Sequence, residues 1–216
     1  MLTRRHLLVA GAAMATVGNA RAMLPVPRSN ALTFRMMRHG SAIGTHSLAF
    51  RRDGNLLEVT IAVDVLVKLG PIPFVRYSHH NRELWQDDRL IGLNSHTDRN
   101  GTALQMSATW TNAGLRVEGS GTQPYIAPPN AYATTYWHEA TLFGPLIGTQ
   151  DGKLVHPVIS QERPEPIRLA SGEQTPAKPY VLSGDLQVEL WYDVSDTWAG
   201  MRFSVDDGSE ISYERM

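Results

Sequence analysis

His79-His80-Asn81-Arg82-Glu83 is the densest run of chemistry-bearing side chains in the sequence. On an extended backbone His79, Asn81 and Glu83 share one face, and His80 and Arg82 share the other. His79 and Glu83 then stand about 13 Å apart along the strand, too far for one metal ion unless a bulge intervenes. A helical turn would bring positions i and i+4 together. The flanking Phe74, Val75, Tyr77 and Trp85 favour a strand instead. The plain reading is a polar face with a hydrogen-bonded histidine.

A second set is Tyr136-Trp137-His138-Glu139. Neighbours on a strand point to opposite faces, so His138 and Glu139 serve one site only on an irregular backbone. A metal site assembled from separate strands would draw on His79, His138 and His156, with His46 as a further candidate. A metal- or carboxylate-dependent hydrolase would use His79, Glu83 and His138. Glu83 with Asp87 and Asp88 also invites a two-carboxylate glycosidase reading. Asp87 and Asp88 are better explained as turn formers. No G-x-S-x-G elbow and no phosphate-cradling glycine loop occurs. No cofactor is expected, a metal ion being the alternative.

Aromatic residues suggest binding rather than catalysis. Tyr77, Trp85, Trp110 and Trp137 are the expected lining of an apolar pocket. A curled sheet of this size leaves such a pocket, and a ligand there needs few polar groups.

The elements that must position these residues are strands. Leu57, Val59, Ile61, Val63, Val65 and Val67 alternate with Glu58, Thr60, Ala62, Asp64, Leu66 and Lys68, the mark of a long strand with one buried face. Similar segments run over 32–38, 43–51, 74–85, 89–97, 102–110 and 115–119, and a C-terminal meander covers 186–194, 201–206 and 210–215. Turn signals separate them: His39-Gly40, Asp53-Gly54, Gly70-Pro71, Asp87-Asp88, Asn100-Gly101 and Asp207-Gly208. Prolines make 122–130 a loop or crossover and 163–179 an exposed excursion. Residues 131–143 suit a short helix or a strand equally. The expected fold is mainly antiparallel β, a curled sheet or half-barrel with room for one short helix.

The chain has 216 residues, no cysteine and a net charge of −1. Thr3-Arg4-Arg5-His6-Leu7-Leu8, a mildly apolar run and Ala20-Arg21-Ala22 read as a secretory leader of twin-arginine type, cut near Ala22. That leaves one β-rich domain over 23–216 and places it in the bacterial periplasm. Arg4, Arg5 and Arg21 fall in the leader, so the remainder is mildly acidic and offers nucleic acid no basic face. Disulfides, thiolate metal sites and a lipidated cysteine are excluded. No later apolar run is long enough to span a membrane.

Ile43-Gly44-Thr45-His46, Glu83-Leu84-Trp85-Gln86-Asp87-Asp88-Arg89-Leu90, Thr97-Asp98-Arg99-Asn100-Gly101 and the ending Asp185–Asp193, Phe203 and Asp207-Gly208 together resemble a group of uncharacterised exported bacterial proteins. More loosely, they are similar to periplasmic carriers of the Lol type, whose antiparallel sheet curls around a greasy cavity. The resemblance implies a fold but no activity. The expected function is non-enzymatic: a periplasmic binding or carrier protein for a lipid-like or other apolar ligand. The alternatives are the hydrolase above and a structural envelope protein that binds partners by a sheet edge.

Overall fold

The structure, a computed structural model, describes residues 26–69 and 72–216. The expected leader and the Gly70-Pro71 turn lie outside the described residues. The first eight strands form a meander: β1 (Ala31–Arg38), β2 (Ser41–Asp53), β3 (Leu56–Leu69), β4 (Ile72–Gln86), β5 (Arg89–Arg99), β6 (Thr102–Thr111), β7 (Gly114–Gly119) and β8 (Thr122–Ile126). Short strands β9 (Tyr132–Ala133), β10 (Leu146–Ile147) and β11 (Leu154–Val155) follow, with a 3-10 turn at Glu139–Leu142. The chain ends in β12 (Val158–Gln161), β13 (Glu165–Arg168), β14 (Gln174–Ser183), β15 (Val188–Asp193), β16 (Trp198–Ser204) and β17 (Glu210–Arg215).

All but the three short strands join one antiparallel sheet of 14 strands, in the order β12-β14-β15-β16-β17-β1-β2-β3-β4-β5-β6-β7-β8, with β13 also on β14. The sheet is curled and open, as the run of long strands between turn signals implied. Two local meanders meet where the last strand pairs with the first, for example Met36 opposite Tyr213. Since β8 and β12 lie at opposite edges, the segment 127–157 between them must cross from one edge to the other. It runs over the concave face and carries the small sheet β9-β10-β11. No helix among the described residues is long and apolar enough to cross a membrane.

Local chemistry explains the turns. His39 and Gly40 both have positive φ (49° and 73°), as do Asn100 and Gly101 (53° and 85°). Two such residues match the twist of the flanking strands in a tight hairpin. Gly44 answers a different need: a Cβ there would lie 2.1 Å from the Asp64 carbonyl oxygen, so only glycine lets β2 approach β3 this closely. Bulges at Met36/Met37, Val67/Lys68 and Leu84/Trp85 bend the sheet.

Prolines misled the expectation in two places. Residues 174–183 are strand β14, not part of an exposed excursion. Pro179 faces Trp191 on β15, and on its other side its carbonyl accepts from Glu162 N at 3.0 Å, between the ends of β13 and β12. Its missing N–H therefore falls in a gap in the ladder. Pro124 lies in β8, an edge strand, where the register shifts between Val117 and Gly119. Residues 131–143 are neither of the two regular options: β9, an irregular stretch and the 3-10 turn fill them.

Candidate functional site

The concave face of β2–β5 is built in rows of register partners. One row runs Phe50, Val59, Glu83, Leu93 and Ala108. The next runs Leu48, Ile61, Asn81, Ser95 and Met106. Then come Phe34, His46, Val63, His79, Thr97 and Leu104, and finally Met36, Gly44, Val65, Tyr77 and Arg99. Alternate residues of β4 thus step polar groups along one face, and Glu83 and His79 stand about 13 Å apart on it.

Glu83 is fully buried. Its Oε2 accepts from the indole N–H of Trp85 at 2.8 Å and of Trp137 at 3.1 Å, and its Oε1 accepts from Asn81 Nδ2 at 3.2 Å. Burial pushes its carboxyl above the usual carboxylate range, although donation from Thr135, Trp85, Trp137 and Asn81 pulls the other way. Trp137 and Thr135 belong to the crossing segment, so Glu83 fastens that segment to the sheet. Ser95 Oγ, which donates to the Thr149 carbonyl, and Tyr192 Oη, which donates to the Tyr136 carbonyl at 2.7 Å, fasten it further.

The face beyond Asn81 is different. Between the sheet and the crossing segment lies a cavity of about 910 Å³. Ile61, Val63, Val65, Leu104, Met201 and Ile211 are among its aliphatic walls. His46, His79, Tyr77, Tyr136 and Tyr213 border it too. Its open end carries exposed Phe74 and three ion pairs: Arg38 with Asp207, Arg99 with Asp206 at 3.9 Å, and Lys153 with Asp151 at 3.1 Å.

The two histidines stay uncharged. Burial, with His79 nearby, lowers the His46 pKa to about 3. Burial, with His80 beside it, lowers that of His79 to about 4. His79 Nδ1 lies 2.8 Å from Thr97 Oγ1. Neither ring nitrogen of His46 has a hydrogen-bond partner. Its ring is met edge-on by Phe34, Trp198 and Tyr213, at centroid distances of 6.2, 5.2 and 5.6 Å. Burial pushes the Tyr77 phenol up to about 12, and moves those of Tyr136 and Tyr213 further in the same direction.

The candidate residues separate accordingly. Of the four expected lining aromatics, Tyr77 borders the cavity, stacked on His79 with centroids 6.4 Å apart. Trp85 and Trp137 pack edge-to-face at 5.6 Å inside the core. Trp110 is 39% exposed under the Arg89 guanidinium. His138 caps the 3-10 turn, its Nδ1 accepting from Ala140 N at 3.1 Å. His156 is exposed, its backbone N–H donating to Asp185. His79, Glu83 and His138 thus have separate partners. Among the described residues no three His, Asp or Glu side chains gather as a metal-binding group. Sequence reasoning passed over Tyr213 and Tyr136. The alternation Ile211, Tyr213 in β17 turns both residues inward, a signal available in the sequence. Tyr136 sits in irregular backbone with φ 57° and carried no such signal.

No curated protein and no solved structure matches the chain. One family model does, over residues 34–216, from the middle of β1 to the last residue. That span takes in every strand from β2 to β17, the crossing segment and all the cavity residues named above, and the chain belongs to the family described as Domain of unknown function (DUF6134).

Proposed function

We propose that the protein is a non-enzymatic binding or carrier protein for a lipid-like or other apolar ligand. It works in the bacterial periplasm after loss of its leader near Ala22. The observation that carries this reading is the cavity of about 910 Å³ with aliphatic walls on a continuous sheet. Its size lies in the upper part of the range that small-molecule sites occupy, roughly 300–1,000 Å³. Shielding apolar ligand surface from water there is worth on the order of 25 cal/mol per Å² before association costs. Strands β2–β5 hold the walls in place without the ligand.

The test is saturable binding of the neutral apolar fluorophore N-phenyl-1-naphthylamine to protein purified from the periplasmic fraction. Val65→Trp, which puts an indole into the cavity, is the comparison. The wild type gains fluorescence with a defined stoichiometry, and the variant loses at least about tenfold in affinity, or about 1.4 kcal/mol. Thermal unfolding checks that the variant folds. Non-saturable binding, or equal binding by the folded variant, would sink the proposal.

A further inference from the structure

Buried polar groups in a folded protein almost always find a partner. Among the described residues, the buried side-chain polar atoms without a partner are both ring nitrogens of His46 and Oδ1 of Asn81. The buried indoles of Trp85, Trp137, Trp191 and Trp198 all donate: the first two to Glu83, the third to Glu165, the fourth to the Gly200 carbonyl. Buried Tyr180 and Tyr192 donate to Glu139 and to the Tyr136 carbonyl. Tyr213, also buried, donates to nothing among the described residues. The half-buried Tyr77 and Tyr136 line the cavity and their hydroxyls, like Nε2 of His79, make no hydrogen bond among the described residues, while buried His46 has no partner at either nitrogen. All five residues border the same cavity.

These groups form one cluster. The Tyr213 phenol feels both Tyr77 and Tyr136 through space. The Tyr213 ring lies 5.6 Å from His46, and the Tyr77 ring 6.4 Å from His79. The cluster holds no charge at neutral pH, because burial lowers the histidines and raises the phenols. The cations at the open end are already paired to Asp207, Asp206 and Asp151. A buried anion would therefore meet no free positive charge, and its desolvation would go uncompensated. What the cluster offers is hydrogen-bond donors. Each phenol supplies one O–H in any arrangement, and His79 adds a donor or an acceptor according to its tautomer. Donors without charge, in an apolar enclosure, complement an uncharged oxygen acceptor.

We infer that the ligand is an apolar molecule with an uncharged carbonyl group, an ester or a ketone, which enters polar end first and is held by Tyr77, Tyr136, Tyr213 and His79. This rests on the carrier reading and narrows it. The hydrocarbon part fills the aliphatic space toward the open end. The carbonyl oxygen takes over the donors that the empty protein leaves unused. The specificity is against two classes: plain hydrocarbons, which leave the donors unpaired, and carboxylates, which bring a charge.

The experiment is displacement of N-phenyl-1-naphthylamine at pH 7 by three probes of matched length: methyl dodecanoate, tridecane and dodecanoate. The ester is expected to displace the fluorophore at about one tenth of the tridecane concentration, the gain that one or two neutral hydrogen bonds supply. Dodecanoate is expected to be weaker than the ester. In Y77F/Y213F the advantage of ester over alkane falls to about twofold or less, since at least one O–H donor has been removed per contact. Thermal unfolding confirms the fold of that variant. Equal displacement by ester and alkane in the wild type would overturn the inference and leave the carrier reading standing. Strongest displacement by dodecanoate, or an ester advantage that survives in Y77F/Y213F, would overturn it too. If the fluorophore itself does not bind, the carrier reading fails and the inference falls with it.

Discussion

Two polar clusters occupy the same face of β4, about 13 Å apart, and they differ in one respect. Around Glu83 each carboxylate oxygen has a donor, and the donors come from both the sheet and the crossing segment. Around His79 only Nδ1 has a partner, Thr97 Oγ1 at 2.8 Å, and the neighbouring His46 has none at either ring nitrogen. Asn81 stands between, with Nδ2 given to Glu83 and Oδ1 unpartnered. A satisfied network rigidifies the fold, whereas an unsatisfied one costs stability and persists where something else completes it. The Glu83 cluster is architecture. The His79 cluster is the one that the proposed ligand would complete. Glu83 and His79 share a run of five residues in the sequence, but the sheet gives them separate partners.

The largest effect belongs to Glu83. Glu83→Ala leaves two buried indole N–H groups without an acceptor and opens a cavity. It should cost roughly 3–5 kcal/mol of unfolding free energy, since each stranded group costs ~1–3 kcal/mol. Glu83→Gln keeps an oxygen for the indoles and removes the buried acid. It should stay within about 1 kcal/mol of the wild type at pH 7. Urea denaturation of the three proteins checks both. A small loss in Glu83→Ala would remove the contrast between the clusters.

Acid separates the clusters by sign. His46 and His79 have folded pKa values of about 3 and about 4, below the ordinary 6.5. The unfolded chain therefore binds protons that the folded chain does not. Their contribution to stability is complete above about pH 6.5 and is lost as the pH falls toward 4 and 3, at up to about 1.4 kcal/mol per pH unit for each histidine. Glu83 has a raised pKa and acts in the opposite sense: its protonation in acid relieves a buried charge. The expected melting temperature declines below pH 6.5. His46→Phe, which preserves the ring among Phe34, Trp198 and Tyr213, should make the decline about half as steep. Glu83→Gln should make it steeper. An unchanged slope in His46→Phe would mean that His46 is not held neutral by the fold.

The fold was legible where a single local rule decides it. The alternation over 57–67 places six residues on one face, and four of them, Ile61, Val63, Val65 and Val67, line the cavity. Turns with Asn-Gly and Asp-Gly declared themselves because positive φ favours those residues. The strand through Pro176 and Pro179 was hidden, because its prolines sit where neighbouring strands end, a fact of the sheet rather than of the segment. The path of 131–143 was undecidable locally, since distant partners fix it: Glu83 for Trp137, Thr197 for the bridge at His138. The site was half legible for the same reason. His79 and Tyr77 lie on a readable strand, and so does Tyr213. Their meeting depends on β17 pairing with β1, the last strand with the first, which no short-range pattern encodes. Trp85, Trp110 and Trp137 are large aromatics expected to line a pocket. Size marks the core as readily as a pocket, and their indole partners, not their dimensions, tell the two apart.

The smallest effect is the sharpest comparison of the two kinds of hydroxyl. Tyr192 and Tyr213 are both buried, and both belong to the C-terminal meander. Tyr192 donates to the Tyr136 carbonyl at 2.7 Å, in the crossing segment. Tyr192→Phe removes that bond and leaves a carbonyl short of its donor, so it should cost about 1–2 kcal/mol. Tyr213→Phe removes a hydroxyl that has no partner among the described residues and keeps the ring against Phe34, His46 and Trp198. The ligand-free protein should lose nothing and gain up to about 0.5 kcal/mol, since an unmet polar group has been taken out of an apolar enclosure. Chemical denaturation of both variants, in ligand-free protein, measures the difference. Equal losses would show that the Tyr213 hydroxyl is engaged within the fold. A loss in Tyr192→Phe alone places the unused donors on the cavity side of the sheet, where a ligand can reach them.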